Sequence, residues 1–439
     1  MNLVMLPLAM ALAAAAPPQD PPPEHCAIGA YSLPDGSFVD VAPADGAALR
    51  WRRPDGTTGA LAATPGGGWA STLGWTGRPD GVQVSFDCAR DTIVFDGRRG
   101  ERMKFDVAET RFEVDGAVLA GRLIMPPGDQ PVPVVVLVHG AERMSAREAY
   151  ALQRMFPAAG IGAFVYDKRG TGASTGQYTH DYATLATDAI SAADEARRLG
   201  GSRISRIGYQ AGSQGGWVAP LAAQIDPVDF IIVSFGLAVS PAAAERELIV
   251  AALRRHGFGP EAIAGAMEIS QAVEAVIDSN FQSGYDRLAD VRDRYADEPW
   301  FAHAGGSFVG MILGMPPEQL RREGPKLAPN ISLYYDPLPV LRNLDTPQLW
   351  ILAEEDLVAP VAGTSRRLAE LEKAGRPITT AIFADAEHGM YGYEIAADGS
   401  RVSTRAPEGY FPMMRDYVLT GRTGPRYGAR ILNSAAGRE

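Results

Sequence analysis

The sequence predicts an α/β protein: a mostly parallel sheet, a helical insertion within it, and a small all-β domain at the N-terminal side. Three observations carry this reading. Continuous apolar runs at Val132–Val138, Ala163–Tyr166, Ile204–Tyr209 and Phe230–Phe235 alternate with helical stretches at Tyr182–Leu199 and Gln214–Gln224. A strand with no polar alternation is buried on both faces, as in a parallel sheet covered by crossover helices. The alternation stops near Ala238, where helical patterns at Ala242–His256 and Pro260–Asp278 take over, and it returns at Gln348–Ala353 and Thr379–Phe383. Before the sheet, Asp-Gly pairs recur at 35–36, 45–46, 55–56, 80–81 and 96–97. Asp-Gly suits the positive-φ positions of tight hairpins, so turns at this spacing predict short antiparallel strands.

In chain order, residues 1–16 are almost wholly apolar and precede a Pro-rich stretch. They read as a secretory signal peptide with small-residue cleavage sites among its alanines, although no Lys or Arg opens it. The expected location is therefore outside the cytoplasm, periplasmic or secreted. The two cysteines, Cys26 and Cys88, both fall in the first quarter of the chain. An even number in an exported chain predicts one disulfide. Residues 24–105 form the β-rich domain. The α/β core runs over 108–237 and again over 337–424. It opens on a hairpin with Asp115–Gly116 at its turn. Residues 238–336 form a helical cap, and the Gly/Arg-rich end, 425–439, reads as a flexible tail.

Composition narrows the function. Of 439 residues, 46% are hydrophobic and 21% charged, which excludes wholesale disorder. A net charge of −11 argues against nucleic acid and anionic membrane surfaces as partners. Past the leader, no apolar run is long enough to span a bilayer. No metal-ligand spacing appears, so neither metal nor organic cofactor is expected.

The strongest local feature is Ile207–Gly208–Tyr209–Gln210–Ala211–Gly212–Ser213–Gln214–Gly215–Gly216–Trp217. A strand runs straight into a helix with Ser213 at the turn. Such an elbow strains the serine backbone, so the residues two away on each side must be small. Here they are Ala211 and Gly215. A serine nucleophile needs a base, and the base needs an orienting acid. Of six histidines, only His388 follows the last core strand, where functional loops of parallel sheets gather. The acid should follow Gln348–Ala353. Asp356 is the choice there, with Glu355 as the alternative.

Four stretches together resemble the α/β-hydrolase superfamily. They are Val136–Leu137–Val138–His139–Gly140, Tyr166–Asp167–Lys168–Arg169–Gly170–Thr171–Gly172–Ala173–Ser174, the Ser213 elbow, and the Asp356/His388 pair. The likeness covers about Ala108 to Thr420. It is similar within that superfamily to secreted esterase-like and serine-peptidase-like enzymes. The resemblance implies the α/β-hydrolase fold and an oxyanion hole made by the backbone N–H groups of Ala141 and Gln214. It also implies a structural role for His139, while Asp167 and Arg169 are read as stabilising their loop.

The expected function is serine hydrolysis through an acyl-enzyme, with a carboxylic ester as the favoured small-molecule substrate. A short peptide is the alternative. A non-catalytic binding protein on the same scaffold is the rival of another class, and an intact triad argues against it. Trp300, Phe301 and Phe308 in the cap are candidates to line the substrate pocket, with packing of the cap's own core as the competing role.

Overall fold

The computed structural model describes residues 25–44, 48–424 and 426–433, so the leader Met1–Ala16 lies outside the described residues. The Asp-Gly-punctuated segment folds as a closed antiparallel barrel. Its strands are β1 (Gly29–Ser32), β2 (Phe38–Pro43), β3 (Leu49–Arg52), β4 (Thr58–Ala63), β5 (Trp69–Leu73), β6 (Pro79–Asp87), β7 (Thr92–Phe95) and β8 (Arg98–Arg102). Pairing of β1 with β8 closes it and removes the free edges. Tyr31, Val39, Val41, Trp51, Leu61 and Ile93 fill its interior. Three Asp-Gly pairs make hairpin turns as expected; at the last of them Asp96 and Gly97 have φ of 49° and 76°. The pair at 80–81 does not. It lies inside β6, where Gly81 takes a φ of 85° and the β5–β6 register shifts, as at a β-bulge.

Cys26 and Cys88 are disulfide-bonded. The bond ties the segment before β1 to the residue that follows β6. Its reduction is expected to destabilise the barrel by about 2–4 kcal/mol, because the open chain regains loop entropy. Hydrogen exchange should then accelerate over 29–102 and not across the core sheet. Unchanged exchange in the barrel under reductant would contradict this.

The core sheet opens with the hairpin β9 (Asp106–Val114) and β10 (Ala117–Met125), turned at Asp115–Gly116 with both φ positive. The parallel strands follow: β11 (Val132–Val138), β12 (Gly162–Tyr166), β13 (Ile204–Gly212), β14 (Phe230–Ser234), β15 (Gln348–Ala353) and β16 (Ile378–Phe383). A small hairpin, β17 (Tyr393–Ile395) and β18 (Arg401–Ser403), stands apart from the sheet, and β19 (Arg430–Asn433) joins its edge. The order across the sheet is β19-β16-β15-β14-β13-β11-β12-β10-β9.

Strand β11 shows why the apolar runs are continuous. Val134, Val136 and Val138 pack into one core, while Val135 and Leu137 pack into the other. Helices Tyr182–Gly200, Gly215–Ile225 and Val361–Lys373 cover the first face. Leu152–Ala158 and Tyr410–Thr420 cover the second.

One boundary is corrected. The segment 425–439, read as a flexible tail, contains β19, which pairs antiparallel with β16 through Ala381↔Ile431 and Ile382↔Arg430. Ile431 packs against one core and Leu432 against the other, so a short apolar pair is enough to add an edge strand.

The insertion comprises helices Pro241–Arg255, Pro260–Asp278, Tyr285–Tyr295, Ser307–Leu313 and Pro317–Leu327. They enclose an apolar core of their own. Its last segment meets the loops at the carboxyl ends of the parallel strands: His180 N–H donates to Pro329 O at 2.9 Å.

Candidate active site

Ser213 sits one residue past β13, with φ of 51°. A side chain in the left-handed region is uncommon outside glycine and marks stored backbone strain. The turn is held by Ser213 N–H, which donates to Ser234 O at 3.0 Å on the neighbouring strand. The close packing that demands small neighbours is visible at Gly215. A Cβ there would lie 3.0 Å from the carbonyl oxygens of both Val138 and His139, and 3.1 Å from Ala211 Cβ. Ala211 itself is fully buried. The methyl group by which this elbow departs from the commoner glycine is therefore accommodated, and one at Gly215 would press on two backbone carbonyls.

The structure brings Ser213, His388 and Asp356 together across 175 residues of sequence. His388 Nε2 lies 3.1 Å from Ser213 Oγ, and Nδ1 lies 2.9 Å from Asp356 Oδ2. With Nδ1–H donating to the carboxylate, Nε2 is left as the acceptor facing the hydroxyl. Asp356 is buried, and its other oxygen accepts from Val358 N–H at 2.8 Å and Ala359 N–H at 2.7 Å. These bonds fix the carboxylate plane. Phe235 meets the His388 ring edge-on at 5.0 Å. Glu355, the alternative acid, points elsewhere: its half-exposed carboxylate pairs with Arg401 at 3.2 Å.

The backbone N–H groups of Ala141 and Gln214 donate to no partner among the described residues. The loop that carries Ala141 is nonetheless tightly held. Gly140 N–H donates to Glu142 at 3.3 Å, Lys168 Nζ donates to Gly140 O at 2.8 Å, and the Tyr178 hydroxyl donates to Ala141 O. Beside it, Gln214 Nε2 lies 2.5 Å from His180 Nδ1. Burial, with the nearby Lys168 and Arg143 cations, holds the His180 imidazole down to about 3, so it is neutral and accepts from the amide. Lys168, Tyr178 and His180 were not singled out as site residues in the sequence. Lys168 stands between Asp167 and Arg169 in a charged loop motif, where a lysine reads as solvated.

Those flanking residues stabilise the loop, as read, but not as a pair with each other. Asp167 accepts from Ser145 Oγ at 2.7 Å and Ala173 N–H at 3.0 Å. Arg169 forms a bidentate pair with buried Asp188. His139 is buried, with Nε2 2.8 Å from Tyr166 O. Burial and Lys168 push its imidazole down to about 3, which keeps it neutral.

The substrate-lining reading of the cap aromatics is corrected for Trp300. It is buried in the insertion's own core, with its ring against Gly265 and 5.1 Å from Tyr295. Phe301 and Phe308 pack on the same cluster from its partly buried rim. The amphipathic insertion has to satisfy its own core first, and its largest side chain does so. Trp300→Ala is expected to cost about 3–5 kcal/mol within the insertion. Thermal unfolding should show an early transition there, with activity on short and long acyl chains lost in parallel. A selective change in chain-length preference at unchanged stability would contradict this assignment.

The barrel also reaches the His388 loop. Trp75 N–H donates to Ser403 O at 2.9 Å, and the Trp75 ring meets Tyr391 edge-on at 4.6 Å. Ser403 Oγ in turn donates to Glu387, the neighbour of His388, at 2.7 Å. Among the described residues, no group of His, Cys, Asp and Glu has the arrangement of a metal site, and no helix is long and apolar enough to cross a membrane.

Residues 129–305 match the family model described as serine aminopeptidase, S33. A comparison with curated proteins finds no match. Among solved structures, an esterase from Pyrococcus furiosus aligns with a TM-score of 0.42 at 16% identity, over 65% of this chain and 83% of that one. Brefeldin A esterase, a bacterial homologue of human hormone-sensitive lipase, aligns at 0.40 and 17%, over 66% and 70%. The acylaminoacyl peptidase of Pyrococcus horikoshii aligns at 0.43 and 16%, over 88% and 56%. The family match runs from the approach to β11, through the Ser213 elbow, into the insertion: over residues 129–305 this chain is similar to the serine aminopeptidase family, S33.

Proposed function

We propose that the protein hydrolyses carboxylic esters by two-step acyl transfer, with Ser213 as nucleophile, His388 as base and Asp356 as orienting acid. The observation that carries this is the continuous chain from Ser213 Oγ to His388 to Asp356, at 3.1 Å and 2.9 Å. Ser213 Oγ attacks the substrate carbonyl carbon while its proton passes to His388 Nε2. Asp356 holds the tautomer and stabilises the imidazolium. The oxyanion is received by the N–H groups of Ala141 and Gln214, a contribution of about 3–4 kcal/mol for a donor of this kind. The imidazolium protonates the departing alcohol, leaving an acyl-Ser213 ester. His388 then deprotonates a water that attacks this ester, and the acid departs as Ser213 recovers its proton. Trp300 is left out of the substrate pocket, and Phe301 and Phe308 remain candidates at the cap rim.

The charges near the oxyanion loop support an ester over a peptide with a free amino terminus. Lys168 and Arg143 lie beside it, and the Glu142 carboxylate is already engaged by Gly140 N–H and the Tyr150 hydroxyl. An incoming ammonium group would meet the two cations Lys168 and Arg143 against the single carboxylate of Glu142. The match to the serine aminopeptidase family favours the second reading, cleavage of short peptides at the same triad. A panel of p-nitrophenyl esters and aminoacyl p-nitroanilides on the purified protein separates them. Higher kcat/KM on esters supports the proposal, and higher kcat/KM on aminoacyl anilides replaces it with the second. The disulfide and the apolar leader support an oxidising location, exported to the periplasm or beyond.

A further inference from the structure

We propose that Lys168 is a positioning residue for the oxyanion hole, holding both of its arms through the Gly140–Ala141 peptide and the Gln214 side chain. The inference rests on the reading of Ser213 as nucleophile and of the Ala141 and Gln214 N–H groups as the oxyanion donors. It adds the element that aims them.

Lys168 is 2% exposed, at the end of the strand-to-loop turn after β12. Its ammonium donates to Gly140 O at 2.8 Å and to Gln214 Oε1 at 3.4 Å. Both acceptors are neutral. A buried ammonium with no hydrogen-bonded carboxylate is expensive, and such groups concentrate where function requires them.

The first acceptor is the decisive one. Gly140 O and Ala141 N–H belong to one peptide unit, and no cis bond occurs among the described residues. In a trans peptide the carbonyl and the N–H point in opposite directions. Anchoring the oxygen on Lys168 therefore turns the Ala141 N–H away from Lys168 and sets its direction. A cation on the carbonyl also polarises the peptide and strengthens its N–H as a donor.

The second acceptor fixes the residue after the nucleophile. With Oε1 on Lys168 and Nε2 on neutral His180, the Gln214 amide has one consistent orientation. His180 is itself seated on the insertion through Pro329 O, and its carbonyl accepts from Ser332 N–H at 3.4 Å. The insertion thus contacts the elbow through two side chains.

The charge of Lys168 is pH-sensitive. Burial is the main cause that brings its ammonium down to about 8. Arg143 adds to this, and Glu142 and Asp188 oppose it. Tyr178 lies under the ammonium at 4.6 Å, and the neighbouring His139 and His180 are neutral. Lys168 is charged below that point and loses its proton as pH rises through it, so kcat should fall on the alkaline side while KM holds.

The test compares wild type with Lys168→Met, using an activated ester and a boronic acid that forms a tetrahedral adduct on serine. Lys168→Met is expected to lose about 10- to 100-fold in kcat with KM little changed, less than removal of an oxyanion donor itself. Boronate affinity should drop by a similar factor, and the alkaline limb of the kcat profile should vanish. Lys168→Arg, which keeps the charge but not the shape, should recover part of the loss. Wild-type kcat and boronate affinity in Lys168→Met would overturn the proposal, as would a loss confined to KM. Should Lys168→Met fail to fold, Lys168→Gln takes its place, and wild-type kcat and boronate affinity in that variant are the overturning result. Fluorophosphonate labelling is run in parallel. If the wild-type protein is not labelled at Ser213, the triad reading has failed, a result distinct from failure of the Lys168 proposal.

Discussion

Ser213→Ala is expected to lower kcat by about 10⁴- to 10⁶-fold, with His388→Ala close behind and Asp356→Asn somewhat milder. On the proposed mechanism Ser213 supplies the reacting oxygen, His388 the imidazole 3.1 Å from it, and Asp356 acts through the tautomer it enforces. Removing Asp356 leaves Nδ1 free to choose its proton, so a fraction of correctly protonated imidazole survives. The double variant Ser213→Ala/His388→Ala should lose little more than either single one, because the residues act as a unit. Folding should be unaffected, since Ser213 and His388 stand at the rim of the core, although the Asp356 variant also loses two acceptor bonds to backbone. Glu355→Gln should retain wild-type activity. If Glu355→Gln abolished turnover and Asp356→Asn did not, the choice of acid would be reversed.

The largest stability effect is expected at Asp188. Its carboxylate is fully buried on helix Tyr182–Gly200, where it accepts two hydrogen bonds from Arg169, one of them at 2.7 Å. Arg169 is nearly as buried. Asp188→Ala leaves a guanidinium in the core without its carboxylate, at a cost of about 3–5 kcal/mol. The paired change Arg169→Met/Asp188→Leu removes both charges together and should recover most of that stability. Denaturant unfolding of the two variants checks this. Equal destabilisation in both would mean that the pair contributes a net interaction that apolar packing cannot replace. The pair also sits next to Lys168, so Asp188→Ala should reduce kcat beyond its effect on folding.

Much of the core was legible because burial on both faces leaves an unmistakable trace. Val132–Val138 alternates between two apolar cores, so every position must be apolar, and its limits in the structure are those read from sequence. The elbow was legible because Gly215 is tightly packed and Ala211 is fully buried, so both positions favour small residues. His388 emerged by elimination among few histidines. Asp356 and Glu355 were harder to separate. They are adjacent, and only the direction of the loop after β15 sends one toward His388 and the other toward Arg401.

Other features depend on partners far away in sequence. Barrel closure requires β1 to find β8, and neither strand announces its partner. The strand β19 has four residues, among glycines and arginines, and gains its apolar environment only from β16 and the helices beside it. Hairpin β17–β18 lacks a buried face and gave no alternation to read. Trp300 illustrates a different ambiguity. An aromatic residue in a cap has the same appearance in sequence whether it meets a substrate or a neighbouring helix. Lys168 is hard to single out because a lysine in a charged loop reads as solvated, and its burial arises from Tyr178 and the Gly140–Ala141 loop folding over it.

The central claim is that Ser213 carries the acyl group. The most direct measurement is to react the purified protein with a fluorophosphonate, digest it, and locate the adduct by mass spectrometry. The account predicts a single stoichiometric adduct on Ser213, absent after Ser213→Ala and strongly slowed after His388→Ala. An adduct on another residue, or labelling that persists in Ser213→Ala, would contradict it.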